Sequence, residues 1–197
     1  MKHPVSYAMP ALAALLLAAC AAPPGTPAAA PPGYLEQARS LAATVPANLL
    51  TVLTDELNRS GPAGAIEVCR EKAPQMARAA SERSGWNVRR ASLRNRNPKG
   101  VPDAWERNAL ERFDAQAAAG AAASALETWQ VVDEGGRQVF RYARALPTQA
   151  LCVQCHGSVD KLSEPVRAKL HALYPADRAT GYEPGQIRGA LFLKKPI

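Results

Sequence analysis

The chain reads as an α+β domain with an antiparallel sheet, on three observations. Its first half spaces apolar residues at three- and four-residue steps, the period of amphipathic helices. Two runs of strand formers, 126–132 and 138–146, flank Asp133-Glu134-Gly135-Gly136-Arg137, a hairpin turn signal. The chain then closes on an alternating apolar run over 187–193. Helices, then a hairpin, then a separate terminal strand favour α+β over a parallel α/β arrangement.

The start of the chain stands apart from this domain. Residues 1–10 carry Lys2 and no acid, and 11–19 are an unbroken Ala/Leu run. That is the layout of a signal peptide, too short to span a bilayer as a helix. Leu17-Ala18-Ala19-Cys20 resembles a bacterial lipobox, so removal of 1–19 is expected to leave Cys20 as a lipidated first residue. The alternative is an ordinary cleavage near Ala22, with Cys20 discarded. Several acyl chains on one cysteine anchor stably, whereas one chain is marginal. Residues 20–33 then form the anchored tether: Pro23, Pro24, Pro27, Pro31 and Pro32 among Ala, Gly and Thr cannot bury enough surface to order themselves. Ala21, rather than Asp, follows Cys20, which points to the outer membrane and its periplasmic side by resemblance to known sorting. The folded part is expected over 34–197, a single-domain length.

Its elements follow in order. Leu41, Val45, Leu49, Leu53 and Leu57 place one helix over 34–57, with a kink at Pro46. A second helix carries Ile66, Cys69, Ala73, Met76 and Ala80 on one buried stripe, capped by Ser60 and ended at Gly85. Pro74 removes the backbone bond to Arg70 and bends that helix just after Cys69. A short strand over 86–93 gives way to an Arg/Asn/Pro loop. Asp103 and Glu106 have capping-box spacing for a third helix, with Trp105, Ala109, Phe113 and Ala117 inward and Gly120 at its end. After the hairpin a helix spans 163–173. In the last strand Ile187, Gly189, Leu191 and Leu193 are expected on one face.

Composition narrows function only slightly. The net charge is +7, or +6 once Lys2 is removed, with basic clusters at Arg89, Arg90, Arg94, Arg96 and Lys99 and at Lys194 and Lys195. Nucleic acid is a poor partner for an exported chain. A solvated surface, or contacts to an anionic cofactor, are the remaining readings. Aromatic residues make up only 6%, so the core is short of large side chains.

The chemistry is concentrated in Cys152-Val153-Gln154-Cys155-His156, the C-x-x-C-H attachment motif of covalent c-type haem. Two intervening residues let both sulfurs face one edge of the macrocycle, and the next imidazole goes to the iron as proximal ligand. A zinc half-site would need further Cys or His partners. A redox dithiol would sit in a βαβ pattern. Neither context is found. One covalent haem c is therefore expected, with iron bound by His156.

Cys20, Cys152 and Cys155 are accounted for, which leaves Cys69 unpaired in an oxidising compartment. A distal iron ligand would have to come from the mature chain. Histidine offers only His171 and methionine only Met76, and no methionine follows His156 as in small soluble cytochromes c. Cys69, Met76, His171, a lysine or an open site all remain. The haem carboxylates call for cationic partners, and at least one of Arg90, Arg94 and Arg96 is expected to reach one, with Arg94 and Arg96 favoured.

Four stretches carry a resemblance: 64–76; Arg90-Ala91-Ser92-Leu93-Arg94-Asn95-Arg96-Asn97-Pro98 with Pro102-Asp103-Ala104-Trp105-Glu106; 152–156; and 174–182 with Ile187-Arg188-Gly189-Ala190. In this order they resemble a bacterial family of exported c-haem domains with a PAS-like fold, long known only as a domain of unknown function. The resemblance implies N-terminal helices and an antiparallel sheet packed around the haem, with iron held by His156 and Cys69. One departure is Lys99-Gly100, where the family usually has a small residue and Asn. The resemblance implies a membrane-anchored electron carrier or, alternatively, a redox or small-gas sensor signalling through a receptor. The partner is a redox protein or such a receptor, and a homodimer is left open. An enzyme is not expected, because the sequence shows no acid–base constellation for an open iron site.

Overall fold

The computed structural model describes residues 29–197, so the expected signal segment and Cys20 lie outside the described residues. Helix α1 runs over Tyr34–Glu67 and passes through a five-residue π turn, Val68–Lys72, into α2, Ala73–Ser84. Strand β1 (Asn87–Ala91) and helix α3 (Ala104–Ala118) follow, then the hairpin β2 (Glu127–Asp133) and β3 (Gln138–Pro147). Short α4 (Val153–His156), α5 (Glu164–Leu173) and β4 (Ile187–Pro196) complete the chain. The α+β expectation is met, and the arrangement is consistent with a PAS-like fold. Among the described residues no helix is long and apolar enough to cross a membrane.

The four strands form one antiparallel sheet in the order β1-β4-β3-β2, so the last strand lies inside it. Alternation along the strands creates two apolar faces. Val88, Phe140, Tyr142, Leu191 and Leu193 meet Ala38 and Ala42 of α1, Ala80 of α2, and Trp86. On the other face Ala91, Ala143, Ala190 and Phe192 meet Ala109, Leu110 and Phe113 of α3. A third cluster joins Ile66, at the end of α1, to Leu162 and to Val166 and Leu170 of α5, with Cys155 packed against it.

Several local expectations hold for local reasons. The capping box forms in both directions, Glu106 N–H donating to Asp103 and Asp103 N–H to Glu106. Gly85 ends α2 in the left-handed conformation. The hairpin turn closes with Gly136 N–H donating to the Asp133 carboxylate.

Three expectations are corrected. The first helix does not stop near Leu57, and its non-helical break falls at Gly61, not Pro46. Gly61 takes φ 67° and ψ −179°, open to a residue without Cβ, and Pro62 then removes the donor that would continue the ladder. Ser60 is therefore not a cap; its hydroxyl donates to Glu56. Second, Cys69 is exposed, while Val68 and Ile66 are buried. Pro74 has no N–H for Arg70, and the helix responds by widening: Ala73 N–H reaches back five residues to Val68. That extra residue per turn rotates Cys69 off the buried stripe. Third, Ile187 does not share a face with Leu191 and Leu193. The pairing steps from Ala145↔Ala190 to Pro147↔Ile187, which places one extra residue in β4.

Candidate functional site

The motif turn is built by short-range bonding. Residues Ala150–Cys152 form a 3-10 turn that leads into α4, so Cys152, Cys155 and His156 share one helical turn. Gly157 N–H donates to the Val153 carbonyl at 2.9 Å and closes the turn. Both thiols are partly accessible. Cys155 leans on the α1–α5 cluster, and its thiol approaches the Pro62 carbonyl, freed at the α1 break, at 3.8 Å. Burial pushes the Cys155 thiol up to about 11, which keeps it protonated rather than poised as a redox thiolate. Among the described residues no three His, Cys, Asp or Glu side chains are arranged to hold a bare metal ion, so the pair lacks the further ligands of a structural zinc.

His156 is buried, with 8% of its surface accessible. Its Nδ1 is 2.6 Å from the Ala179 carbonyl oxygen, which fixes the ring and directs the lone pair to Nε2. Burial lowers its affinity for a proton well below the ordinary value, and the charges of Arg188, Arg96 and Arg90 lower it further. The imidazole is thus neutral and oriented, the form that binds a metal.

The carbonyl that holds His156 belongs to a clasp over 177–182. Gly181 N–H donates to the Gly157 carbonyl at 2.7 Å and Tyr182 N–H to the His156 carbonyl at 2.9 Å. Arg96 locks this clasp from the β1–α3 loop. It pairs with Asp177 at 2.9 Å and donates to the Cys155 carbonyl at 2.6 Å, and Asp177 accepts from Ala179 N–H at 2.8 Å. Arg94 donates to the carbonyls of Arg178 and Thr180, and its guanidinium lies 4.4 Å from the centre of the Tyr182 ring. The guanidiniums of Arg94 and Arg96, expected to face a haem carboxylate, are therefore directed at the clasp. The physical reason is the set of unsatisfied carbonyls in a Pro/Gly-rich loop, which need donors.

Cys69 stands on the π turn within electrostatic reach of Cys155, Tyr174 and Arg90. The structure so brings Cys69 and the three motif residues to one region, from opposite ends of the sequence. Met76, the rival ligand, lies half-buried on α2, and His171 is exposed on α5. Sequence reasoning assigned no part to Asp177, Ala179 or Arg188. The signal for Arg188 was present, because a glycine inside a strand pattern, here Gly189, suggests a bulge.

The arrangement offers two thiols and a neutral imidazole on one turn, with the exposed Cys69 within electrostatic reach of Cys155. These residues fit a group attached by two sulfurs and ligated by His156. Comparison with known proteins gives a family and a structural likeness to a heme-protein. No curated protein matches the chain. Among solved structures, the crystal structure of the cyanobacterial heme-protein Tll0287 superposes with a TM-score of 0.65 at 27% identity, covering 85% of this chain and 97% of that one. The Tll0287-like family (Tll0287) matches residues 28–196, nearly the whole described part, and the chain therefore belongs to the Tll0287-like family.

Proposed function

We propose that this protein is a monohaem c-type cytochrome that carries electrons at the periplasmic face of a bacterial membrane, held there by lipid on Cys20. The observation behind this reading is the oriented turn of Cys152, Cys155 and His156, with a neutral imidazole held through Nδ1. Haem as the cofactor is supported by membership of the family and by the likeness to a heme-protein. The thioether attachment comes from the C-x-x-C-H spacing. The bound iron supplies one-electron exchange. The chain's part is to bind the porphyrin edge with two sulfurs, hold the imidazole and offer Cys69 as the second ligand. The partner is a redox protein at the same membrane face.

The test is extraction. Haem should stay with the polypeptide through acid–acetone treatment and denaturing electrophoresis, and Cys152→Ala/Cys155→Ala should release it. Haem lost from the wild type, or kept covalently by the double variant, defeats the reading. The anchor is tested separately by intact mass, which should begin at Cys20 with acyl chains.

A redox or small-gas sensor is the second reading, and the exposed position of Cys69 on a π turn favours it. Such turns recur at functional sites, and Cys69 on this one would be the residue to hold the iron as a thiolate and, being exposed, to release it. Binding of carbon monoxide to the ferrous protein, with loss of the Cys69 signal, would favour the sensor over the carrier.

A further inference from the structure

Two half-buried arginines take no part in the clasp. Arg90 lies on β1 opposite Leu191, on the face that carries Val88 and Leu193. Arg188 lies near the start of β4. Uniform alternation back from Phe192 and Ala190 would turn Arg188 towards α3. The extra residue in β4 reverses this. Ile187 joins Ala190 and Phe192 in the α3 cluster, and Arg188 is turned to the face of Arg90. Gly189 makes the reversal possible at φ 153°, and a Cβ there would lie 2.5 Å from the Ala91 carbonyl oxygen. Gly189 of β4 thus packs directly on Ala91 of β1, and the two arginines are their chain neighbours.

Their surroundings differ from those of six arginines elsewhere in the fold. Arg39, Arg59, Arg70, Arg89, Arg96 and Arg141 each pair with a carboxylate. Among the described residues neither Arg90 nor Arg188 has a side-chain hydrogen bond or an acidic partner. Two like charges removed in part from water and within each other's electrostatic reach are costly without a counter-charge. Burial and the charge of Arg188 pull the Arg90 guanidinium down to about 10, offset in part by the thiols of Cys69 and Cys152. Both guanidiniums also act on His156. The pair therefore borders the region where the motif residues and Cys69 meet. Two cationic forks that lack any protein carboxylate suit a ligand bearing two of its own.

We propose that Arg90 and Arg188, set on one face by the Gly189 bulge, form the anchoring subsite for the two haem carboxylates. This rests on the haem reading above, and it moves the carboxylate contact away from Arg94 and Arg96. It also gives the bulge a purpose, because a regular β4 would supply only one of the two forks.

The experiment follows the reduction potential of the purified haem-loaded protein against pH. A carboxylate near the iron lowers the potential as it ionises, and a guanidinium partner holds that ionisation to low pH. Arg90→Gln and Arg188→Gln should each move the inflection upward by at least one pH unit, a tenfold change in acidity. Arg90→Lys and Arg188→Lys should restore it in part. Arg107→Gln, which removes the same charge from an exposed site on α3, should leave it in place. Thioether attachment keeps haem on the chain when its anchoring weakens, so the variants stay measurable. An unmoved inflection in both Gln variants, or an equal movement in Arg107→Gln, overturns the proposal while the haem reading stands. A wild-type protein without covalent haem overturns both, and extraction shows that first.

Discussion

The Ala179 carbonyl oxygen lies 2.6 Å from Nδ1 of His156, and Ala179 is held by a carboxylate that Arg96 in turn holds. A loop far along the chain thereby sets the orientation of the motif imidazole. Without that acceptor the ring could rotate, and either nitrogen could present its lone pair. The clasp is a second layer of support around the imidazole proposed as the iron ligand, of the kind that fixes tautomer and raises basicity.

Arg96→Met should be strongly destabilising. The Arg96 and Asp177 side chains are 10% and 12% exposed, so the substitution leaves a nearly buried carboxylate unpaired and the Cys155 carbonyl without its donor. The expected loss is about 3–5 kcal/mol, read from the urea midpoint at constant slope. A loss within the range of a surface substitution would show that the clasp does not depend on this pair.

Cys69→Ser should raise the reduction potential and remove the thiolate features from the ferric absorption spectrum. A thiolate brings negative charge to the iron and favours the ferric state, whereas an axial methionine raises the potential. Met76→Leu should change little, since Met76 sits half-buried on α2, past the π turn. The reverse pattern would make Met76 the ligand and remove the case for a low potential.

Gly189→Ala should weaken the β1–β4 edge. The residue holds φ 153° and its Cβ would press on the Ala91 carbonyl oxygen, so the backbone must shift. Strain of this kind costs about 1–3 kcal/mol. Amide exchange at Arg90 and Ala91 should accelerate with it. Unchanged exchange and stability would mean that β4 takes up alanine without moving.

Acid stability should depend on Glu127. Burial alone would raise its acidity constant's midpoint, but donation from Arg39 at 2.8 Å and from the Tyr142 hydroxyl at 2.7 Å outweighs burial and holds it below the usual carboxylate value. A carboxyl depressed in the folded state stabilises above its unfolded midpoint, and the stabilisation is lost as pH falls through the folded one. Glu127→Gln should therefore flatten the acid limb of stability between about pH 5 and 3 and lower stability at pH 7. A wild-type slope that survives the substitution would place the acid sensitivity elsewhere.

What the sequence determined by itself is what short-range chemistry determines. The Asp103–Glu106 capping box, the Gly85 exit, the Asp133–Arg137 turn and the Cys152–His156 spacing all act within one or two turns of chain, so residue type and spacing suffice. Pro74 also marked the right place for a disturbance beside Cys69. Yet the helix relieved it by a π turn instead of a bend, and that choice took Cys69 out of the buried stripe. The tertiary structure alone decided that β4 lies between β1 and β3, that Gly189 reverses the alternation, and that Arg96 meets Asp177. The partners in that last pair are 81 residues apart. No periodicity links positions at such separations. They meet because the sheet closes only when its final strand enters the middle, and the side chains there settle according to which carbonyls and charges remain without partners.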